Sequence, residues 1–203
     1  MTLKKIIIVL IIGWIIFSQV TKSRIKYDGD SIVKKLPVQS SAHEPPFEHK
    51  GFTITPVADF KIEAMILSKK KYSLDKESKL SSFDFALGWG PMSDYNVLNE
   101  LRITQSGRWY RYRYEMPPPI PKSEIISHSG NMHLIPADRR VAKGIKKARN
   151  GAIVRLDGYL VNVKADKDWT WNSSLSREDS GAHSCEVIWV KNIEVKDKGG
   201  SWQ

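Results

Sequence analysis

His128, Asn131, His133 and Asp138 lie close together in the chain and are its side chains best suited to acid–base or metal chemistry; Asp94 is a further carboxylate that folding can bring beside them. Imidazole and carboxylate groups in such a cluster serve as general acids and bases or complete a metal site. The local sequence argues against both roles. Ser129-Gly130 and Pro136 disfavour a continuous helix, and the odd spacing of His128 and His133 places their rings on opposite faces of a strand. Ordinary loop or core histidines are the simpler expectation, with no metal and no cofactor. Cys185 has His183 two positions before it, but so short a spacing at a strand edge does not by itself aim thiol and base at each other. Ser173, Ser174 and Ser176 lie in no nucleophile elbow, and the chain has neither a glycine-rich phosphate loop nor a dinucleotide fingerprint. A hydrolase using His128, His133 and Asp138 therefore ranks third among the functions considered.

Binding chemistry is better represented. In Trp109-Tyr110-Arg111-Tyr112-Arg113-Tyr114, strand alternation puts the tyrosines on one face and Trp109, Arg111 and Arg113 on the other. With Trp169 and Trp171 from a neighbouring β element, that second face would make a groove where rings stack on sugars or bases and guanidinium groups meet phosphate or carboxylate. The formal charge of +10, from 32 Lys plus Arg against 22 Asp plus Glu, favours anionic partners: nucleic acid, lipid headgroups, wall polymers or an acidic protein. Against this stands the ordinary reading of strand aromatics as core and of basic surfaces near a membrane as solvated charge.

The elements that must position these residues are mostly strands. Phe52–Val57 reads as one short strand and Phe60–Leu67 as another, the latter alternating Phe60, Ile62, Ala64 and Ile66 against Lys61, Glu63 and Met65. Ser68–Ser82 is a polar surface excursion. Phe83–Gly90 is a strand, after which Ser93 or Asp94 caps a short helix running to Leu101. Ile103–Met116 is a strand stopped by Pro117-Pro118-Pro119, and Ile125-Ile126 begin another. Asp138 caps a helix whose Val141, Ala142, Ile145 and Ala148 recur at helical spacing, with Lys143, Lys146, Lys147 and Arg149 outside. Three strands follow, over Ala152–Val163, Trp169–Leu175 and Glu186–Val195, with Asp166-Lys167-Asp168 as the first turn and Ser176–Ser184 as a longer loop.

The N-terminus carries an address. Lys4-Lys5 precede an apolar run from Ile6 to Phe17, and Lys22, Arg24 and Lys26 follow it. As a helix, Ile6 to Val20 covers roughly 22 Å, short of a roughly 30 Å hydrocarbon core by a margin that flanking residues and snorkelling lysines can close. A cleaved secretory signal is the alternative, but Phe17-Ser18-Gln19-Val20 offers no small-residue cleavage site. Residues 1–21 are thus expected to be a signal anchor, 22–50 a tether containing Pro45-Pro46, and 51–203 one globular domain. Basic residues flank both sides of the run, so charge leaves orientation open; the layout of a short tail, one apolar segment and a long domain favours a domain outside the cytoplasmic membrane. The single cysteine allows no intramolecular disulfide and fits either side.

Gly151-Ala152-Ile153-Val154-Arg155-Leu156-Asp157-Gly158-Tyr159-Leu160-Val161 resembles a strand of the small oligonucleotide/oligosaccharide-binding type of barrel, with Gly158 where such a strand bends. That resemblance covers Asn150 to Val195. Gly88-Trp89-Gly90-Pro91-Met92-Ser93-Asp94 and Asn131-Met132-His133-Leu134-Ile135-Pro136-Ala137, together with these strands, resemble small membrane-anchored bacterial proteins of unassigned activity. The resemblance implies a bacterial envelope setting and no catalytic role. The expected class is β-rich α+β: an N-terminal transmembrane helix, then one domain with an antiparallel, barrel-like sheet. The expected function is non-enzymatic binding or assembly in the envelope, with an anionic or protein partner; single-stranded nucleic-acid binding through a barrel-like face comes second.

Overall fold

The computed structural model describes residues 33–165, 169–176, 185–197 and 200–202. These build a β-rich α+β structure whose strands are β1 (Val38–Ser41), β2 (Phe47–His49), β3 (Phe52–Lys71), β4 (Phe83–Gly88), β5 (Arg102–Ser106), β6 (Trp109–Arg113), β7 (Ser129–Pro136), β8 (Ile153–Lys164), β9 (Thr170–Trp171) and β10 (Glu186–Lys196). The helices among the described residues are α1 (Tyr95–Asn99), α2 (Lys122–Ser127) and α3 (Arg139–Lys147), with short 3-10 turns at Glu77–Lys79 and Gly90–Ser93. Among them no helix is long and apolar enough to cross a membrane, and the apolar run Ile6–Phe17 lies outside the described residues.

β3 organises the sheet. Alternation buries Phe52, Ile54, Ala58, Phe60, Ile62 and Ala64, so the two short strands read from the sequence are one strand of 20 residues. Bulges at Pro56/Ala58 and Ile66/Ser68 bend it, and the bend lets it serve two partners: Thr53–Met65 pair with β8 and Met65–Lys71 with β4. β4 continues to β7, β7 to β10, and β10 to β8, so the chain of pairings returns to β3. The expected antiparallel sheet is corrected to a mixed one. β10 inserts between β7 and β8, antiparallel to β8 and parallel to β7, with Val187 opposite His133.

The segment expected to be a tether contributes structure from Val33 onward. Val33 is buried and its N–H donates to Ser93 Oγ at 2.7 Å, while β1 and β2 pair with β3. Ile125 and Ile126 lie in α2 rather than in a strand, because Pro121 opens a helical turn in which the Glu124 and Ile125 N–H groups bond its carbonyl. Of Trp169–Leu175 only Thr170-Trp171 form a strand. The turn at 166–168 and most of the loop at 176–184, including His183, lie outside the described residues.

Three apolar clusters divide the interior. Phe60, Phe85, Trp89, Leu134 and Val154 pack with Val141 and Ile145 of α3. Asp138 starts that helix by accepting the Val141 N–H at 2.7 Å, as the sequence indicated. Its other end is closed by Lys69 of β3, whose Nζ donates to the carbonyls of Ile145, Lys146 and Ala148 at 2.7–2.8 Å. Met65, Leu67, Met92, Tyr95, Leu98 and Ile125 form a second cluster, on which Tyr110, Tyr112 and Tyr114 pack. The third joins Ile54, Val163 and Trp189 to Trp169 and Trp171.

Candidate functional site

The expected strand Ile103–Met116 is a hairpin, β5–β6, turned at Gly107-Arg108. Both turn residues have positive φ, 57° and 67°, and Ser106 pairs with Trp109, which defines a two-residue primed turn matching strand twist. Glycine adopts that conformation freely, whereas arginine does so at a cost of about 1–2 kcal/mol. The offset for Arg108 is visible in its contacts. Its guanidinium donates to both oxygens of Asp75 at 2.8 Å, to Asp84 Oδ1 at 2.7 Å and to the Ser81 carbonyl at 2.9 Å, and it stands 4.2 Å over the Tyr72 ring.

Asp84 is fully buried and comes from β4, where register places it opposite His133 of β7. Its Oδ2 lies 2.9 Å from His133 Nδ1, close enough for an ion pair but not aligned for a hydrogen bond. The Trp171 ring covers His133 at 4.8 Å and meets Arg108 at 5.8 Å. Asn131 shares a face of β7 with His133, and both are buried; its Nδ2 donates to the Arg108 carbonyl at 3.0 Å and contacts Cys185 Sγ at 3.8 Å, while its Oδ1 accepts from Gln105 at 2.6 Å. One polar cluster thus joins the β3–β4 loop, the hairpin turn, β7, β9 and the start of β10.

Electrostatics follow from this packing. Burial opposes the charge on Arg108, but the Asp75 and Asp84 carboxylates outweigh it and leave the guanidinium more basic than usual. Hydrogen bonding from Arg108 holds Asp75 below its ordinary 3.8, while burial raises the phenols of Tyr72 and Tyr110. A depressed carboxyl adds stability above its unfolded pKa and loses it as pH falls through the folded value. Asp75→Asn should therefore be less stable than the native protein at neutral pH, and the gap should close as pH falls below the ordinary 3.8 of an aspartate. Urea melts at falling pH measure it; a gap that stays constant contradicts the assignment.

The other residues singled out by sequence are dispersed. His128 Nδ1 faces Glu124 Oε2 at 3.0 Å, Asp138 caps α3, and Asp94 caps α1 by accepting the Asn96 N–H at 2.8 Å. His128, His133 and Asp138 thus each meet a different neighbour, and the carboxylate beside His133 is Asp84. Among the described residues no three His, Cys, Asp or Glu side chains are grouped to hold a metal ion. Trp169 packs edge-on to Phe52 at 5.7 Å and Trp171 on His133, so the cation that meets Trp171 is Arg108 rather than Arg111 or Arg113.

Alternation in β6 does place Trp109, Arg111 and Arg113 outward and the tyrosines inward. Sequence reasoning did not include Arg102. It lies directly across from Arg113 in β5, and Thr104 lies across from Arg111. Neither Arg102 nor Arg113 has an acidic partner among the described residues; Arg111 donates to Ser106 Oγ at 2.8 Å. Comparison with protein-family models, curated proteins and solved structures finds no match, so the reading of this surface rests on its own geometry.

Proposed function

We propose that this chain is a non-enzymatic envelope protein, anchored in the bacterial cytoplasmic membrane by residues 1–21 with its domain on the periplasmic or extracellular side. Hairpin β5–β6 binds an anionic polymer or an acidic face of an envelope protein. The observation that carries this reading is the directly opposed Arg102–Arg113 pair with Arg111 and Trp109 on the same exposed face. Like charges directly opposite across strands weaken a hairpin, and an anion beside Arg102 and Arg113 turns that repulsion into attraction. Arg102, Arg111 and Arg113 replaced by alanine should elute from immobilised heparin at lower salt, with the logarithmic salt slope reduced by about two to three. Melting should be unchanged or higher, because a repulsive pair is gone. Unchanged elution removes the hairpin from the binding surface.

The second reading is single-stranded nucleic-acid binding. What supports it is the closed pairing order β3-β4-β7-β10-β8, with α3 between β7 and β8, which resembles the oligonucleotide/oligosaccharide-binding type of barrel. Localisation separates the readings: a C-terminal alkaline phosphatase fusion active in cells supports the envelope, and fluorescence from a cytoplasm-only reporter favours nucleic acid.

A further inference from the structure

Helix α3 carries a charge pattern that local rules disfavour. Its first turn contains Arg139 and Arg140, and the carboxylate at that end is the N-cap Asp138, which accepts the Val141 N–H and lies 4.0 Å from Arg140. Arg139, Lys143 and Lys147 follow at intervals of four on the exposed face, where like charges repel along the helix. Lys146 and Arg149 add to that surface, and residues 139–149 contain no carboxylate. Arg140 is partly engaged, donating to the Lys191 carbonyl and to Asn192 Oδ1 at 3.2 and 3.1 Å. Of the others on this face, none has an acidic partner among the described residues. Lys69 is fastened to the last turn of the helix, and strand alternation puts the exposed Lys71, two residues on, on the same face of β3, where it extends the basic surface. The dipole favours Lys146 and Lys147 in the last turn, but the Arg139, Lys143 and Lys147 row has no carboxylate beside it among the described residues, and such a row marks a surface shaped by something other than stability.

The form of the surface narrows what it meets. α3 has no aromatic side chain on which a base could stack, and its apolar residues Val141 and Ile145 are buried. Single-strand binding sites pair cations with stacking rings, and helices that insert into a bilayer show apolar residues on the face that enters it. A helix face made of long cationic side chains alone fits a flat anionic layer, each cation near such a surface contributing about 1 kcal/mol. We propose that α3, with Lys71, docks the domain on anionic phospholipid headgroups, a surface distinct from the hairpin. The proposal draws on the anchored reading only for the nearness of a bilayer.

The test uses the full chain, added to vesicles of phosphatidylcholine alone or mixed with phosphatidylglycerol, with amide hydrogen exchange as readout. Exchange over residues 139–149 should slow several-fold with phosphatidylglycerol and recover in high salt. It should not slow in Lys143→Glu/Lys146→Glu/Lys147→Glu or in the corresponding glutamine variant, the latter placing no anion at the C-terminal end of the helix and so showing that lost slowing is not lost folding. Equal exchange on both vesicles overturns the proposal, as does slowing confined to residues 102–113 or stronger slowing by an oligonucleotide than by the lipid. Failure of the anchor reads out separately, as protein that does not remain with phosphatidylcholine vesicles, and leaves the phosphatidylglycerol comparison decisive.

Discussion

Arg108→Met should destabilise the domain by about 3–5 kcal/mol, because it leaves the fully buried Asp84 carboxylate without its cation. In a domain of this size that is a fall in melting temperature of about 10 °C. The loss has a partner-specific signature. Once Asp84 is also replaced by asparagine, the charge left stranded by Arg108→Met is gone, so the double variant should be more stable than the sum of the single effects. A double-mutant cycle in urea measures the coupling, and strict additivity would show that the two groups do not act as a pair. Near-UV circular dichroism should report a second effect. Trp171 stands over both Arg108 and His133, so its environment should change even where the backbone signal does not.

Gly158→Ala should be comparably damaging for a steric reason. Gly158 lies in β8 between Phe60 of β3 and Val190 of β10, and a Cβ there would collide with the Trp189 carbonyl oxygen. β10 makes that close approach at its irregularity between Val190 and Asn192. The obstructing atom is backbone, which cannot rotate away, so a cost at the upper end of the usual overpacking range, about 3 kcal/mol or more, is expected. The neighbouring Asp157→Ala removes only a partly exposed ion pair with Lys61 and should change stability by less than about 1 kcal/mol. If Gly158→Ala behaves like Asp157→Ala in urea titrations, β10 can shift aside and the tight crossing is not required.

Local periodicity made much of the fold legible. Alternation in β3 and β6, the Asp138 cap, the Val141–Ile145 face and the strand that contains Gly158 follow from residue types alone. Pairing partners were less accessible. β4 meets β7 across an insertion containing the hairpin and two helices, and no local pattern states that Asp84 will lie opposite His133. The same limit hid Arg108, whose carboxylate partners are 24 and 33 residues away in the chain. Its one local signal was Ser106-Gly107-Arg108 preceding Trp109, a glycine turn inside what alternation alone extends as a single strand. Within the expected tether of residues 22–50, the strands from Val38 onward gave little local signal for a related reason. β1 is exposed at every position, so it carries no apolar alternation, and its strand character comes only from pairing with β3.

The place of β10 in the ring sets an order on assembly. It is the last of these strands along the chain, yet it bonds to both β7 and β8 and fills the gap between them. A nascent polypeptide that has emerged only as far as Lys164 therefore presents two unsatisfied strand edges, each rich in buried-type aliphatics such as Leu134, Ile135, Leu160 and Val161. Such edges invite pairing with other chains. Ribosomal truncation products ending between residues 164 and 186 should accumulate as aggregates or be degraded, and closure must wait until the segment through Lys196 is free to enter the sheet.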